Sequence, residues 1–223
     1  MNGTIIPQLI LKDLRLNWTS LIVPLAGGAI GIGLFTRGGL VGVLGIVSFF
    51  TAMIISASML PTQCLLGERK HQTLAFLMSL PLSSIQYTIA KIITALGIFL
   101  VSWLTLVIAG VWIILGRAGV PHGLLPLFLA LCLLVLAGMC VIASVDLVSE
   151  SESMHQVAAV VVNVSYSFAW LFIAVNSNIR AGIQNPVPVW DSTILLLLGG
   201  ELAFIAALLG LTVFLQSRKK DFI

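Results

Sequence analysis

The sequence predicts an all-α, polytopic membrane protein with six transmembrane helices, and two observations carry that expectation. Hydrophobic residues fill 59% of the 223 positions, charged residues only 9%, and the mean hydropathy is +1.14. A soluble domain holds roughly a quarter charged residues to solvate its surface, so most of this surface must meet lipid. The second observation is run length: the charge-poor stretches reach the roughly 20 residues with which a helix crosses a bilayer. Lipid offers backbone N–H and C=O groups no partners, and a helix satisfies them internally. Long Leu, Ile, Val and Ala runs do not fit the alternating strands of an outer-membrane barrel.

The elements follow in order within one membrane domain. Residues 1–20 make an amphipathic helix at the membrane interface, with Ile10, Leu11, Leu14 and Trp18 on one face and Lys12, Asp13 and Arg15 on the other. Spans one and two occupy residues 21–61, divided at Thr36-Arg37-Gly38-Gly39; the glycines Gly27, Gly28, Gly31 and Gly33 of span one suit close packing. Residues 62–84 form a polar, then semi-apolar cytoplasmic segment. Spans three and four fill residues 85–145, the third long enough to tilt. Residues 146–156, with Asp146, Glu150 and Glu152, are expected as a solvated acidic loop. Spans five and six cover residues 157–215, interrupted by Pro186 and Pro188, and residues 216–223 form a basic tail.

Charge sets the expected orientation. With the N-terminus inside, Lys12, Arg15, Arg69, Lys70, Lys91, Arg218, Lys219 and Lys220 are cytoplasmic, against Arg37, Arg117 and Arg180 outside. That positive-inside bias and the even number of spans place both termini in the cytoplasm of a cell (plasma or inner) membrane protein. The net charge of +3 then reflects topology rather than nucleic-acid binding. Residues 1–20 lack the pattern of a cleaved signal peptide, so the first span is expected to remain as an anchor. Cys132 and Cys140 share one expected helix about 12 Å apart, too far for a disulfide.

The segment from Gly67 to Ser83 is the most specific stretch. Glu68 suits the first turn of a short helix, Leu74, Leu77 and Met78 share a face, and Pro81 ends it. The residues Glu68, Arg69, Thr73, Leu74, Leu77, Leu80, Pro81 and Lys91, set between spans two and three, resemble the permease subunits of type-2 ATP-binding-cassette (ABC) transporters. The chain departs from that pattern at Gln72, where glycine is usual, and at Ser84, where a basic residue is common. The resemblance implies that Glu68, Arg69, Thr73, Leu74, Leu77, Leu80 and Pro81 belong to a short cytoplasmic coupling helix that docks into an ATPase subunit. It also implies that residues 1–20 are an interface helix and that a short re-entrant or capping helix precedes the last span. The alternative reading of residues 67–83, a stretch that only seats on the inner leaflet, stays open.

Inside the membrane, Glu201 lies about 14 Å along the last span, near midplane. An ionised residue there costs at least ~2.5–3.5 kcal/mol, so it should face a cavity, find a partner or be protonated. Gly199, Ala203, Ala206, Ala207 and Gly210 form a small-residue stripe nearly opposite it, expected to pack closely on another helix. In span five, Asn163, Tyr166, Ser167 and Trp170 fall on one face. Glu201, Asn163, Tyr166 and Ser167 are the candidates for lining a translocation path, with interhelical hydrogen bonding as the alternative.

No phosphate-binding loop, metal array or nucleophile motif occurs, and His71, His122 and His155 are scattered. The chain is therefore expected to hold no cofactor and no enzymatic site, with ATP and Mg bound by separate ATPase subunits. The function expected is that of an ABC exporter permease, pairing with a second permease copy, in contact with membrane lipid and not with nucleic acid. Two other classes remain open: an ion- or proton-coupled secondary transporter using Glu201, and a non-transporting membrane scaffold.

Overall fold

The computed structural model describes residues 18–66, 84–149 and 151–218, and every regular element among them is helical. We number the helices α1 (Thr19–Phe35), α2 (Gly39–Pro61), α3 (Ser84–Gly116), α4 (Leu124–Ser149), α5 (Glu152–Val175), α6 (Ser177–Ile183) and α7 (Ser192–Arg218). The six long helices match the six expected spans. Helices α2, α3, α4, α5 and α7 are long and apolar enough to cross a membrane. Helix α1, at 17 residues, lies at the lower limit for crossing, about 25 Å against a hydrocarbon core of about 30 Å. The interface helix expected over residues 1–20 and the coupling-helix residues Glu68 to Pro81 lie outside the described residues, apart from Trp18, which is exposed, and Thr19 and Ser20, which belong to α1.

Helix α4 is the centre of the bundle. Its buried residues run from Leu125 to Leu147 and point in every direction, as a helix enclosed by α2, α3, α5 and α7 must. The core gathers Phe49, Met53 and Leu60 from α2, Ile98, Phe99 and Leu106 from α3, and Phe128, Cys132, Met139 and Ile142 from α4. Trp103 of α3 donates its indole N–H to Cys132 O at 2.8 Å, fixing α3 to α4 through a bond that lipid could not supply.

Helices α1 and α2 pack antiparallel with their backbones in contact. A Cβ on Gly45 would lie 2.3 Å from Phe35 N and 2.5 Å from Gly31 O, and one on Gly31 would lie 2.7 Å from Phe49 N. Glycine is the residue that permits this approach. The intervening turn takes Gly38 and Gly39 through φ values of 72° and 57°, a conformation costly for other residues.

At the far end of α2, Pro61 supplies no N–H to the helix ladder. The chain passes there into a single π-helical turn over Thr62–Leu66, a widening found often at functional sites. On the opposite membrane face, Asn176 caps α6 by accepting from Asn178 N at 3.1 Å and Ile179 N at 3.3 Å. Helix α6 is the short helix expected before the last span. Asp191 starts α7, accepting from Ser192 N at 2.8 Å. Bonds from the Thr193 hydroxyl, and then from Ser192 N–H, hold its carboxyl below the usual carboxylate range.

Candidate functional site: a polar cluster at one end of the bundle and a carboxyl in a groove

The stretch expected as an acidic loop over residues 146–156 is largely helical. Helix α4 continues to Ser149 and α5 begins at Glu152, because Asp146 has a partner that makes a buried position affordable. Asp146 is only 2% exposed. Nδ1 of His155, on the first turn of α5, lies 2.9 Å from Asp146 Oδ1 and 3.0 Å from Oδ2. The other ring nitrogen, Nε2, lies 3.0 Å from Thr62 Oγ1 at the start of the π-helical turn. Thr62, His155 and Asp146 thus join the exit of α2, the entry of α5 and the last turns of α4.

Each polar atom of this cluster has a neighbour within hydrogen-bond reach. The Thr62 hydroxyl has one hydrogen, and it is donated to Ser58 O at 3.0 Å. The same hydroxyl also lies 3.0 Å from His155 Nε2, and a proton on His155 Nδ1 makes the contact with the Asp146 carboxyl attractive. The arrangement superficially resembles a hydroxyl–imidazole–carboxylate triad. The resemblance alone does not make Thr62 a nucleophile, since its hydroxyl is engaged with the Ser58 carbonyl of its own helix. The same end of the bundle is tied to α7 by the Gln216 side-chain amide, which donates to Leu147 O and so satisfies one of the carbonyls left open at the end of α4.

Glu201 lies on the inward face of α7, with Ile194, Thr212 and Gln216, and is half-buried. It borders a groove of about 560 Å³ between α4, α5 and α7, walled by Leu134, Gly138, Val162, Tyr166, Leu197 and Phe204 among others. Its Oε2 is buried without a hydrogen-bond partner. Tyr166 crosses to α4, its hydroxyl 3.5 Å from Val135 O, and fits because Gly138 lacks a side chain: a Cβ there would lie 2.1 Å from the phenolic oxygen.

The four path candidates do not form one surface. Glu201 and Tyr166 meet at the groove, joined by Ser165 rather than Ser167. Asn163 and Ser167 are exposed on another side of α5, where Asn163 Nδ2 donates to Ala159 O at 2.8 Å and Ser167 Oγ to Asn163 O at 3.2 Å. The buried line of α5 is Ala158, Val162, Tyr166 and Ile173, and only Tyr166 of the polar stripe belongs to it. Trp170 turns to a separate apolar cavity of about 210 Å³, its ring 6.3 Å edge-on to Phe50. The small-residue stripe of α7 is exposed, with nothing within 4 Å of a Cβ at Gly199 or Gly210; it packs on no described helix of this chain.

Five helices able to cross a bilayer, and a sixth at the lower limit, make this a multi-pass integral membrane protein. A family model described as ABC-2 family transporter protein matches residues 34–170, well over half of the chain, and the protein belongs to that family. The matched stretch includes residues 67–83, Thr62, Asp146 and His155 but ends before α7 and Glu201. No curated protein and no solved structure matches the chain. The protein is accordingly a permease of the ABC type, the membrane component of a transporter.

The polar cluster escaped the sequence reading because its members lie 93 and nine positions apart. One signal was available. Asp146 directly follows the apolar run that ends at Val145, and His155 stands one helical turn past the interruption. An acid at the end of a span, with an imidazole soon after, is the spacing of a pair across a tight helix–helix turn.

Proposed function

We propose that this permease is the membrane half of an ATP-driven exporter, working with two separate ATPase subunits that bind ATP and Mg and with a second permease copy. Both termini and the Thr62 end of the bundle face the cytoplasm. The residues Glu68, Arg69, Thr73, Leu74, Leu77, Leu80 and Pro81 form the coupling helix. Force applied there enters the bundle at Thr62, where α2 exits, and passes through His155 to Asp146, so that α4 and α5 move with α2. The observation that carries this reading is the cluster itself: the coupling segment from Gly67 begins five residues after Thr62, whose side chain is hydrogen-bonded to His155 of α5, which in turn is bonded to Asp146 of α4. The substrate path lies between two permeases, and the exposed small-residue stripe of α7 supports close approach of the second copy. Glu201 and Tyr166 line a groove within each protomer, on the face of α7 opposite that stripe, as a side branch of the path, and Asn163 and Ser167 lie on another, exposed side of α5.

The test replaces Leu74 and Leu77 by glutamate, followed by pulldown of the ATPase and ATP-dependent export in proteoliposomes. Loss of both is expected. Retention of both removes the coupling role.

The buried, unpartnered Oε2 of Glu201 favours one competing reading, a gradient-driven transporter. It predicts flux without ATP that Glu201→Gln abolishes and that the Leu74 and Leu77 substitutions leave intact.

A further inference from the structure

The two acids of the bundle that carry buried oxygens are treated oppositely. Asp146 is matched by His155, whereas Glu201 projects a buried, unpartnered oxygen into a groove whose walls are otherwise almost wholly apolar. A carboxylate near midplane needs a compensating charge or a proton. Among the described residues, no basic side chain lines the groove. Arg37, Arg117 and Arg180 lie in connections between helices, Arg218 ends α7, and Lys91 precedes the apolar stretch of α3 that begins at Ile92. Lys12, Arg15, Arg69, Lys70, Lys219 and Lys220 lie outside the spans in sequence. What can compensate the carboxyl is then a proton or a cation that enters the groove, and the shape and walls of the groove favour the second.

We propose that the groove between α4, α5 and α7 is a binding site for a cationic amphiphile, with its ammonium group on Glu201 and its hydrocarbon part along Leu134, Val162, Leu197 and Phe204. At about 560 Å³ the groove falls within the range of small-molecule sites, roughly 300–1,000 Å³. Such sites combine apolar walls with few polar groups that fix orientation, and here Glu201, Ser165 and the Tyr166 hydroxyl are those groups. Dispersion and burial hold the tail without selecting it, so charge at one end is the property the site reads. This inference deepens the exporter reading by naming a substrate class, and it rests on that reading only for the direction of movement.

The test uses the full-length permease in lipid nanodiscs, without ATPase or nucleotide. A photoactivatable long-chain primary amine is compared with the alcohol of the same chain length. Labelling of α4, α5 and α7 peptides is followed by mass spectrometry as a function of probe concentration. The amine should label the groove at concentrations about 30-fold lower than the alcohol, the low end for a desolvated charge pair. Glu201→Gln should erase that difference and Glu201→Asp should retain most of it, which separates loss of charge from loss of fold. Equal labelling by amine and alcohol, as expected if Glu201 only holds a proton, overturns the proposal. So does an amine preference that survives Glu201→Gln. Because no ATP is involved, failure of the coupling reading leaves this measurement unaffected.

Discussion

Replacing His155 by leucine is the sharpest probe of the cluster at the Thr62 end. The substitution leaves the Asp146 carboxyl, whose side chain is 0% exposed, with its hydrogen-bond partner gone. Removing one partner of a buried pair costs about 3–5 kcal/mol. The His155 side chain is 15% exposed, so water can reach the vacated position, and the lower figure of about 3 kcal/mol applies. For a chain of this size that corresponds to a fall of roughly 6–12 °C in Tm. Asp146→Leu should cost less, since an imidazole near solvent can be hydrated. The double replacement should recover part of the loss, because exchanging both members of a buried pair for apolar groups is often nearly neutral. A double-mutant cycle read by thermal unfolding in detergent should therefore give a coupling energy of about 2 kcal/mol. Additivity within about 0.5 kcal/mol would show that the two side chains do not depend on each other, and the cluster could then carry no force between helices. A second readout separates stability from coupling. If the cluster transmits motion, the double variant should assemble with the ATPase and hydrolyse ATP while export falls; unchanged export would falsify the transmission role while leaving the pair as a structural bond.

Other consequences follow from single contacts. Gly138→Ala should displace Tyr166, whose hydroxyl would lie 2.1 Å from the new Cβ, at about 1–3 kcal/mol; an unchanged Tm would mean that the ring has room the packing denies. Gly45→Ala should be worse at the α1–α2 contact, because the atoms it meets are the backbone of Phe35 and Gly31 rather than a mobile side chain. The check is a cysteine crosslink between α1 and α2, whose yield should fall. Trp103→Phe removes the indole donor to Cys132 O and should cost about 0.6–2 kcal/mol in detergent unfolding, the worth of an interhelical hydrogen bond in a membrane bundle.

What could be read from the sequence and what could not divide along a physical line. The helices were legible because hydropathy is a local property: the apolar runs after Leu124 and Ser192 begin at the same residues as α4 and α7. Their ends were less legible. Asp146 and Ser149 look like loop residues until a partner makes burial affordable, and that partner depends on which helices adjoin. Residue faces were legible where one neighbour decides them, as for Glu201 opposite the small-residue stripe. They were not legible in α5, where Asn163, Tyr166 and Ser167 share a face by spacing but only Tyr166 meets a pocket, the one opened by Gly138. The sequence contains Gly138, but not the fact that it lies across from Tyr166.

The same distinction bears on how such a protein can work. A bundle held by apolar packing alone resists separation of its helices but has few directional restraints, since dispersion is insensitive to rotation and sliding. Hydrogen bonds are directional. Around the Thr62 end, three interhelical bonds through His155 and Gln216 engage α2, α4, α5 and α7. At the opposite end, the apolar cavity is lined by Phe49, Phe50, Phe128 and Trp170, whose contacts survive small displacements. A push at residues 67–83 would therefore arrive where the helices are keyed together and be expressed where they are free to slide. For that division to hold, crosslinks across the Thr62 end should be tolerated during turnover, whereas crosslinks between α2 and α5 near Phe50 and Trp170 should stop transport.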